Sequence, residues 1–287
     1  MYPYKNNFIL LTCVLFLLLS ADCFAQTVTD GSGAAAKNRK TTVKIGLGYN
    51  SGLNYFGRTD SLKSSGAFPS LEVDFKNGLY LSSDFIFLHN NVTDLKYAAT
   101  NIEGGFKFNN TANTFTGNVF VSKFFYNSGE LVQSALKAQT GVNLSFLNKI
   151  IDVNGGADMK FSDKADIGLT GGIDHIIKFT GILGKGVLVL DPSAYVYGGT
   201  QNFTHTYYKQ ENLLFLPVSE QQVSEQGKRF DILAYEFSVP VVLAVSKFQV
   251  ILDPAYILPQ HVINPDGTER QNPPGLFYVT AGVNYTF

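Results

Sequence analysis

The chain has 287 residues, with 22 Lys+Arg against 23 Asp+Glu and a formal net charge of −1. Binding to nucleic acid phosphates needs a basic field, so this balance argues against nucleic acid as a partner. Hydrophobic residues make up 45% of the chain, yet only one long apolar run exists, and it lies at the start.

That run, FILLTCVLFLLL at residues 8–19, follows a short segment carrying Lys5. It is too short for a spanning helix, which needs about 20 residues. ADCFAQ follows, with the small residue Ala25 at a cleavage position. The pattern predicts a cleaved secretory signal peptide over residues 1–25. A lipoprotein signal would be cut just before Cys23, where Asp22 is a poor neighbour. Cys13 and Cys23 are the only cysteines, so the exported chain is expected to have no disulfide. Residues 26–41 are small and polar without hydrophobic period, which predicts a flexible periplasmic tail.

From Thr42 onward an alternation of period 2 recurs, with no amphipathic helix. Val43, Ile45, Leu47 and Tyr49 open the series, then Leu71, Val73 and Phe75 lead to Asn77-Gly78. That dipeptide predicts a two-residue type I′ hairpin, whose two central residues need positive φ. Leu79, Leu81, Phe85 and Phe87 form the third set. Ile102 to Phe108, Phe115 to Phe125, Leu136 to Phe146 and Ile151 to Phe161 continue it. The last five sets begin at Ile167, Leu188, Leu233, Phe248 and Phe277. The expected fold is all-β, a transmembrane antiparallel up-and-down β-barrel of about twelve strands over residues 42–287.

Alternating strand direction gives a further check. If both termini lie in the periplasm, the turns near residues 77–78, 109–113, 148–149, 180–185 and 244–247 share that side, and all are short. Residues 51–66, 201–228 and 259–274 fall on the other side and are the longest connections, with the tight turn at residues 162–164 as the exception on that side. Outer-membrane barrels show this asymmetry. A soluble sandwich or ligand-binding cup would also alternate, but its polar side would face water. Here the non-apolar side is rich in glycine, at Gly46, Gly48, Gly156, Gly168, Gly172 and Gly282, which suits a crowded lumen. Phe (24) and Tyr (15) must form any interfacial girdle, since Trp is absent.

The ending LFYVTAGVNYTF resembles the C-terminal targeting signal of Gram-negative outer-membrane β-barrel proteins. Thr280, Gly282, Tyr285 and Phe287 stand at its polar, glycine, hydrophobic and terminal aromatic places. The resemblance implies the outer membrane as location, its lipid as surroundings, handling by the barrel-assembly machinery, and a last strand that closes on the first. It implies no particular activity.

Catalytic chemistry finds no support. A barrel lipase needs a nucleophilic Ser within hydrogen-bond reach of a His and an orienting polar group, and on a strand His-x-Ser is the economical spacing because residues two apart share a face. His89, His175, His205 and His261 are followed two places on by Asn91, Ile177, Tyr207 and Ile263. No metal-ligand spacing appears and no cofactor is expected. GILGKG, residues 181–186, lacks the Lys-Ser/Thr ending of a phosphate loop and reads as a turn.

One internal echo stands out. VLVLDPSAYVY and QVILDPAYIL share Leu-Asp-Pro and a nearby Ala-Tyr. Asp191, Asp253 and, on the strand between, Glu236 are expected on the lumen side as an acidic patch. Bulges or strand ends are expected at Pro192 and Pro254. The patch would select cationic or polyol solutes, or be neutralised by Lys178, Lys209, Lys228, Arg229 or Arg270. Three functions follow from this reading. One is a narrow channel for small hydrophilic solutes. The second is a non-conducting barrel whose outer loops bind a surface partner or polysaccharide, with residues 201–228 as the loop suited to contact or to occlusion. The least supported is an enzyme acting on lipid.

Overall fold

A computed structural model describes residues 40–59, 63–91, 94–127, 136–203, 227–264 and 268–287. The expected signal peptide and nearly all of the tail lie outside these residues. Twelve staves form one closed antiparallel barrel. They are β1 (Thr42–Asn50), β2 (Ser65–Asp74), β3 (Leu79–His89), β4 (Lys96–Asn109), β5 (Phe115–Tyr126) and β6 (Ala138–Phe146), followed by β7 (Asp152–Phe161). The next three are each broken once. These are β8 (Ala165–Asp174, then Ile177–Ile182), β9 (Gly186–Leu190, then Ser193–Gly199) and β10 (Asp231–Ser238, then Val241–Val245). β11 (Phe248–Pro259) and β12 (Leu276–Thr286) complete the circuit.

Closure occurs between the ends of the chain. Lys44 pairs with Thr286 and Asn50 with Thr280, and the Phe287 N–H donates to the Val43 carbonyl at 2.9 Å. The seam therefore leaves β1 and β12 with partners on both sides. A barrel is the sheet form that hydrocarbon tolerates, because it satisfies backbone polar groups without edges. One local edge remains among the described residues. Ile177–Ile182 pairs only with Gly186–Leu190, since β7 ends opposite Asp174.

The alternation sorts outward from inward side chains. Leu47, Leu81, Val121, Val153, Leu169, Val250 and Phe277 stand exposed on the outer wall, as do most other large apolar residues of the staves. A contiguous apolar surface of that extent is unsuited to water and suited to lipid. Inward positions carry Asn, Ser, Asp, Glu, Lys, Tyr and glycine. Several glycines there leave space that a neighbour fills. A Cβ on Gly172 would lie 2.0 Å from Tyr195 Cδ1, so the Tyr195 ring rests directly on β8.

Some sequence expectations change. The Asn77-Gly78 hairpin forms, but only Gly78 has positive φ (92°). Phe75 accepts from Gly78 N–H at 2.9 Å and itself donates to the Leu79 carbonyl at 2.8 Å. This is a tight turn ending in a left-handed glycine bulge, in place of the two-residue type I′ turn. Leu136 and Leu233 were expected among the outward residues, yet both are buried. At Leu233 a register shift between Tyr197 and Gly198 inserts one residue and flips the side-chain parity.

The interior is also not polar throughout. Phe68, Ile86, Leu88, Ala98, Ala99, Phe124 and Leu136 form an inner apolar cluster at the loop end of β2–β6. Tyr195, Tyr197, Leu233, Ala234, Ala255, Ile257 and Tyr278 form another across β9–β12. Charged groups line the rest of the lumen, from Asp166 and Lys160 near the loop end to Lys44, Glu72 and Asp74 near the turn end.

Gly172→Val should push Tyr195 off the wall and cost about 1–3 kcal/mol. The neighbouring Gly171→Ala should be neutral, since its Cβ meets nothing nearer than Val196 Cγ1 at 3.7 Å. The temperature at which the folded band converts to the unfolded band on a gel reads both effects.

Candidate functional site: the lumen and its inward loop

The connection between β1 and β2 folds into the barrel instead of outward. Asn54–Tyr55 pairs with Arg58–Thr59 around Phe56-Gly57, whose φ values are 49° and 77°. Both central residues have positive φ, as a type I′ turn requires. Phenylalanine pays a steric cost there, of order 1–3 kcal/mol. Surrounding contacts hold it. Asn54 Oδ1 accepts from Gly57 N–H at 2.9 Å, and Asn54 Nδ2 donates to the Gly52 carbonyl at 3.2 Å.

Leu53, at 2% exposure, belongs to the first apolar cluster, while Phe56 packs against the second. The Phe56 ring lies 5.2 Å from that of Tyr197, and Tyr55 meets Phe203 edge-on at 4.4 Å. Lys160 Nζ, on β7, sits 5.8 Å from the Phe56 ring. β7 is half the circuit away from β1, so the loop crosses the bore. Arg58 fastens its far side by donating to Gln201 Oε1 at 2.8 Å and to the Gln260 carbonyl at 2.9 Å. The sequence pointed to residues 201–228 as the occluding loop. Residues 204–226 lie outside the described ones, and the segment seen entering the bore is 51–59. Phe56-Gly57 lacks the Asn/Asp-Gly signature that would have marked its hairpin.

Below the loop the wall divides by charge compensation. On β1, β2 and β4, Lys44 meets Glu72 at 3.0 Å, and Lys107 meets Glu72 at 2.6 Å and Asp74 at 2.7 Å. Lys107 also lies over the Tyr80 ring at 4.6 Å. On β7, Lys160 pairs with Asp158. Glu103 on β4 also points inward, accepting from the Tyr80 hydroxyl at 2.7 Å, and Asp84 on β3 lies opposite Asn101 with no ion pair among the described residues, so the lysines offset only part of the charge on this side.

The opposite side differs. Asp191, Glu236 and Asp253 all point inward, and Asp152 and Asp174 join them, paired across β7 and β8. Among the described residues none of these five forms an ion pair. Glu236 accepts from the Tyr278 hydroxyl at 2.9 Å and the Tyr197 hydroxyl at 3.4 Å. Asp174 accepts from Asn154 Nδ2 and from the Tyr195 hydroxyl at 3.2 Å. Asp152 Oδ1 takes the Asn148 N–H at 2.5 Å. Asp191 Oδ1 and Asp253 Oδ1 are buried with no hydrogen-bond partner. The candidate neutralising cations are elsewhere: Arg229 pairs with Asp231, and Lys178 and Arg270 are exposed. Lys209 lies outside the described residues.

Breaks in β8, β9 and β10 position this side. Pro192 and Pro240 stand at two of them, Pro254 lies beside them within the continuous β11, and none of the three prolines has an N–H for the ladder. Their carbonyls take up the bonding instead, from His175 N–H (3.2 Å), Asp191 N–H (3.0 Å) and Val239 N–H (3.2 Å). The Leu-Asp-Pro echo thus marks a break at Pro192, as expected, but not at Pro254, where β11 runs on without an end or a bulge and Pro254 pairs with Val279. The break in β8 and the one at Pro240 carry no comparable signal.

The C-terminal residues meet at the seam. Thr280 Oγ1 accepts from Asn50 Nδ2 at 3.1 Å, and Gly282 pairs with Gly48. Tyr285 packs edge-on against Phe248 at 4.8 Å and against Phe287 at 4.9 Å, forming an aromatic rim.

No protein-family model and no curated protein matches the chain. Solved structures do resemble it, at low identity. A KdgM porin aligns with a TM-score of 0.47 and 10% identity over 85% of this chain and 99% of its own. LpxR from Salmonella typhimurium aligns at 0.42 and 9%, over 85% and 100%. The β domain of the Bordetella autotransporter BrkA aligns at 0.40 and 8%, over 86% and 98%.

Lys107→Met should strand Glu72 and Asp74 and lower unfolding stability by about 2 kcal/mol. That is less than the ~3–5 kcal/mol of a fully buried pair, because these groups keep some solvent contact. Lys137→Met, which breaks the exposed pair with Asp163, should leave denaturant unfolding unchanged. By its closed twelve-stave ladder, lipid-facing wall and charged interior, the chain is a transmembrane barrel with the fold of the outer-membrane β-barrel proteins.

Proposed function

We propose that the protein is a narrow outer-membrane channel favouring small hydrophilic solutes that are cationic or rich in hydroxyls. The observation that carries this reading is the wall of uncompensated carboxylates Asp191, Glu236 and Asp253, enlarged by Asp152 and Asp174. Carboxylates in a low-dielectric bore create a negative potential that concentrates cations and repels anions. The loop at residues 53–58 sets the narrowest point, and its strained Phe56 suits a segment held inward for a purpose. A second reading, a non-conducting barrel whose outer loops bind a surface partner, is favoured by the same loop and by the apolar clusters filling the loop end.

The chain would reach the outer membrane by its cleaved signal peptide. Thr280, Gly282, Tyr285 and Phe287 would present the assembly machinery with its recognition element, and Phe287 would then settle in the rim beside Tyr285.

Reversal potentials across planar bilayers under a salt gradient separate the two readings. The channel reading expects preference for K⁺ over Cl⁻, reduced several-fold in Asp191→Asn plus Asp253→Asn. It also expects larger single-channel currents when residues 53–58 are replaced by a short Gly-Ser link. No current from either the intact or the loop-replaced barrel would favour the non-conducting reading. Separately, Phe287→Asp should reduce the amount of heat-modifiable barrel recovered from outer membranes. Full recovery would remove the aromatic terminus from the assembly account.

A further inference from the structure

The wall has one unfinished stretch, and the chain holds a segment suited to complete it. β7 goes no further toward the turn end than Asp152, in register with Asp174, while β8 runs on from Ile177 to Ile182. That lower half of β8 pairs with Gly186–Leu190 on one side and, among the described residues, with nothing on the other. It is exposed nearly throughout, Ile177 and Phe179 included. Across the gap Ile150, on the connection from β6 to β7, is 79% exposed. An open edge leaves a row of backbone donors and acceptors unmatched, which hydrocarbon does not tolerate and which invites pairing elsewhere. Such an edge accepts an extended segment by strand addition.

The ends of the chain and of the staves decide which segment can reach it. The edge lies at the turn end of the barrel, where β1 also begins at Thr42, in register with Asp74. The C-terminus is held in the seam, with the Phe287 N–H bonded to the Val43 carbonyl. Residues 60–62, 92–93, 128–135, 204–226 and 265–267 all belong to connections at the loop end. That leaves the residues before Lys40. β8 stands nearly opposite β1, beyond β9 to β12. With staves about 4.8 Å apart and tilted by about 40°, the mouth between them is about 25 Å across. Residues 30–40 reach up to about 36 Å when extended, so residues 27–29 can lie against β8.

Composition points the same way. Thr27, Val28 and Thr29 are consecutive β-branched residues, the type that favours strands, and most of the tail after them is small or polar. Asp30 is the only acidic residue of the tail at 26–41. Lys149, Lys178 and Lys185 stand exposed around the edge and form no ion pair among the described residues.

We propose that residues 27–30 of the tail add as a short strand to the edge of β8 at Ile177–Ile182 and complete the wall beside the end of β7. The occupant is the chain's own start and not a second copy. The inference goes beyond the channel reading and does not need the bore to conduct.

The test uses the exported chain in isolated outer membranes. Its only native cysteines, Cys13 and Cys23, fall within the expected signal peptide, so introduced pairs are read without background. Thr27→Cys, Val28→Cys or Thr29→Cys is combined with Phe179→Cys or, as the reference, with Phe75→Cys at the turn after β2, beside β1. Under a mild oxidant the expected result is a reductant-sensitive link to position 179 within one chain. Docking raises the local concentration there, so this link should form at least about fivefold faster than the one to position 75, although position 75 lies nearer the start of β1. In a second measurement, Thr27→Pro plus Thr29→Pro removes backbone donors from the added strand and should speed amide exchange at residues 178–182 by about tenfold or more in the purified barrel. That measurement decides alone if the cysteine variants fail to assemble. Links to position 179 no faster than those to position 75, or exchange unchanged by the prolines, would overturn the inference. So would links formed between chains, since a second copy would then fill the edge.

Discussion

In hydrocarbon every backbone N–H and C=O must find a partner within the protein, and the rest of this structure follows from that requirement. Twelve staves satisfy it by closing β1 on β12, which fixes the register of the whole wall. With register fixed, period-2 alternation assigns every side chain to lipid or lumen, and a slip of one residue would exchange the two. The glycine-rich inward positions then become spaces for rings such as Tyr195 on Gly172. Function is left to the interior and to the loop that enters it.

The wall was legible in the sequence because lipid imposes the simplest pattern a strand can carry. All twelve sets, the short turns on one side and the closing role of the last strand correspond to the observed ladder. Two kinds of feature were not legible. Where both faces of a strand are apolar, as at Ile86 and Leu88 beside Phe85 and Phe87, alternation cannot reveal which side packs inward. Where a bulge inserts a residue, as before Leu233, the parity inferred upstream fails downstream.

The candidate site was legible in part for similar reasons. Asp191 and Asp253 stood out through their repeated Asp-Pro context, and Glu236 through strand parity. Asp152 and Asp174 gave no such signal, because their importance comes from register with a neighbouring stave. Compensation by lysine could be read only from structure: Lys107 reaches Glu72 and Asp74 across 35 and 33 residues of chain. The inward course of residues 51–59 escaped notice because Phe56-Gly57 carries no strong turn signature. Its direction is set by apolar partners, Leu53 in one cluster and Phe56 against the other.

These features join into one electrostatic picture. On one side of the lumen Lys44, Lys107 and Lys160 pair with Glu72, Asp74 and Asp158. The other is an acidic surface supported by tyrosine hydroxyls and strand breaks, and a loop pinned by Arg58 lies above both. The central claim is that this interior is water-filled and negative. Its most direct test is the rate at which a cysteine placed at Ser238 reacts with small methanethiosulfonates of opposite charge, in a chain whose only native cysteines are Cys13 and Cys23. The account predicts reaction at least about tenfold faster for the cationic reagent, with the ratio shrinking as salt rises. Equal rates, or no reaction with either reagent, would contradict it.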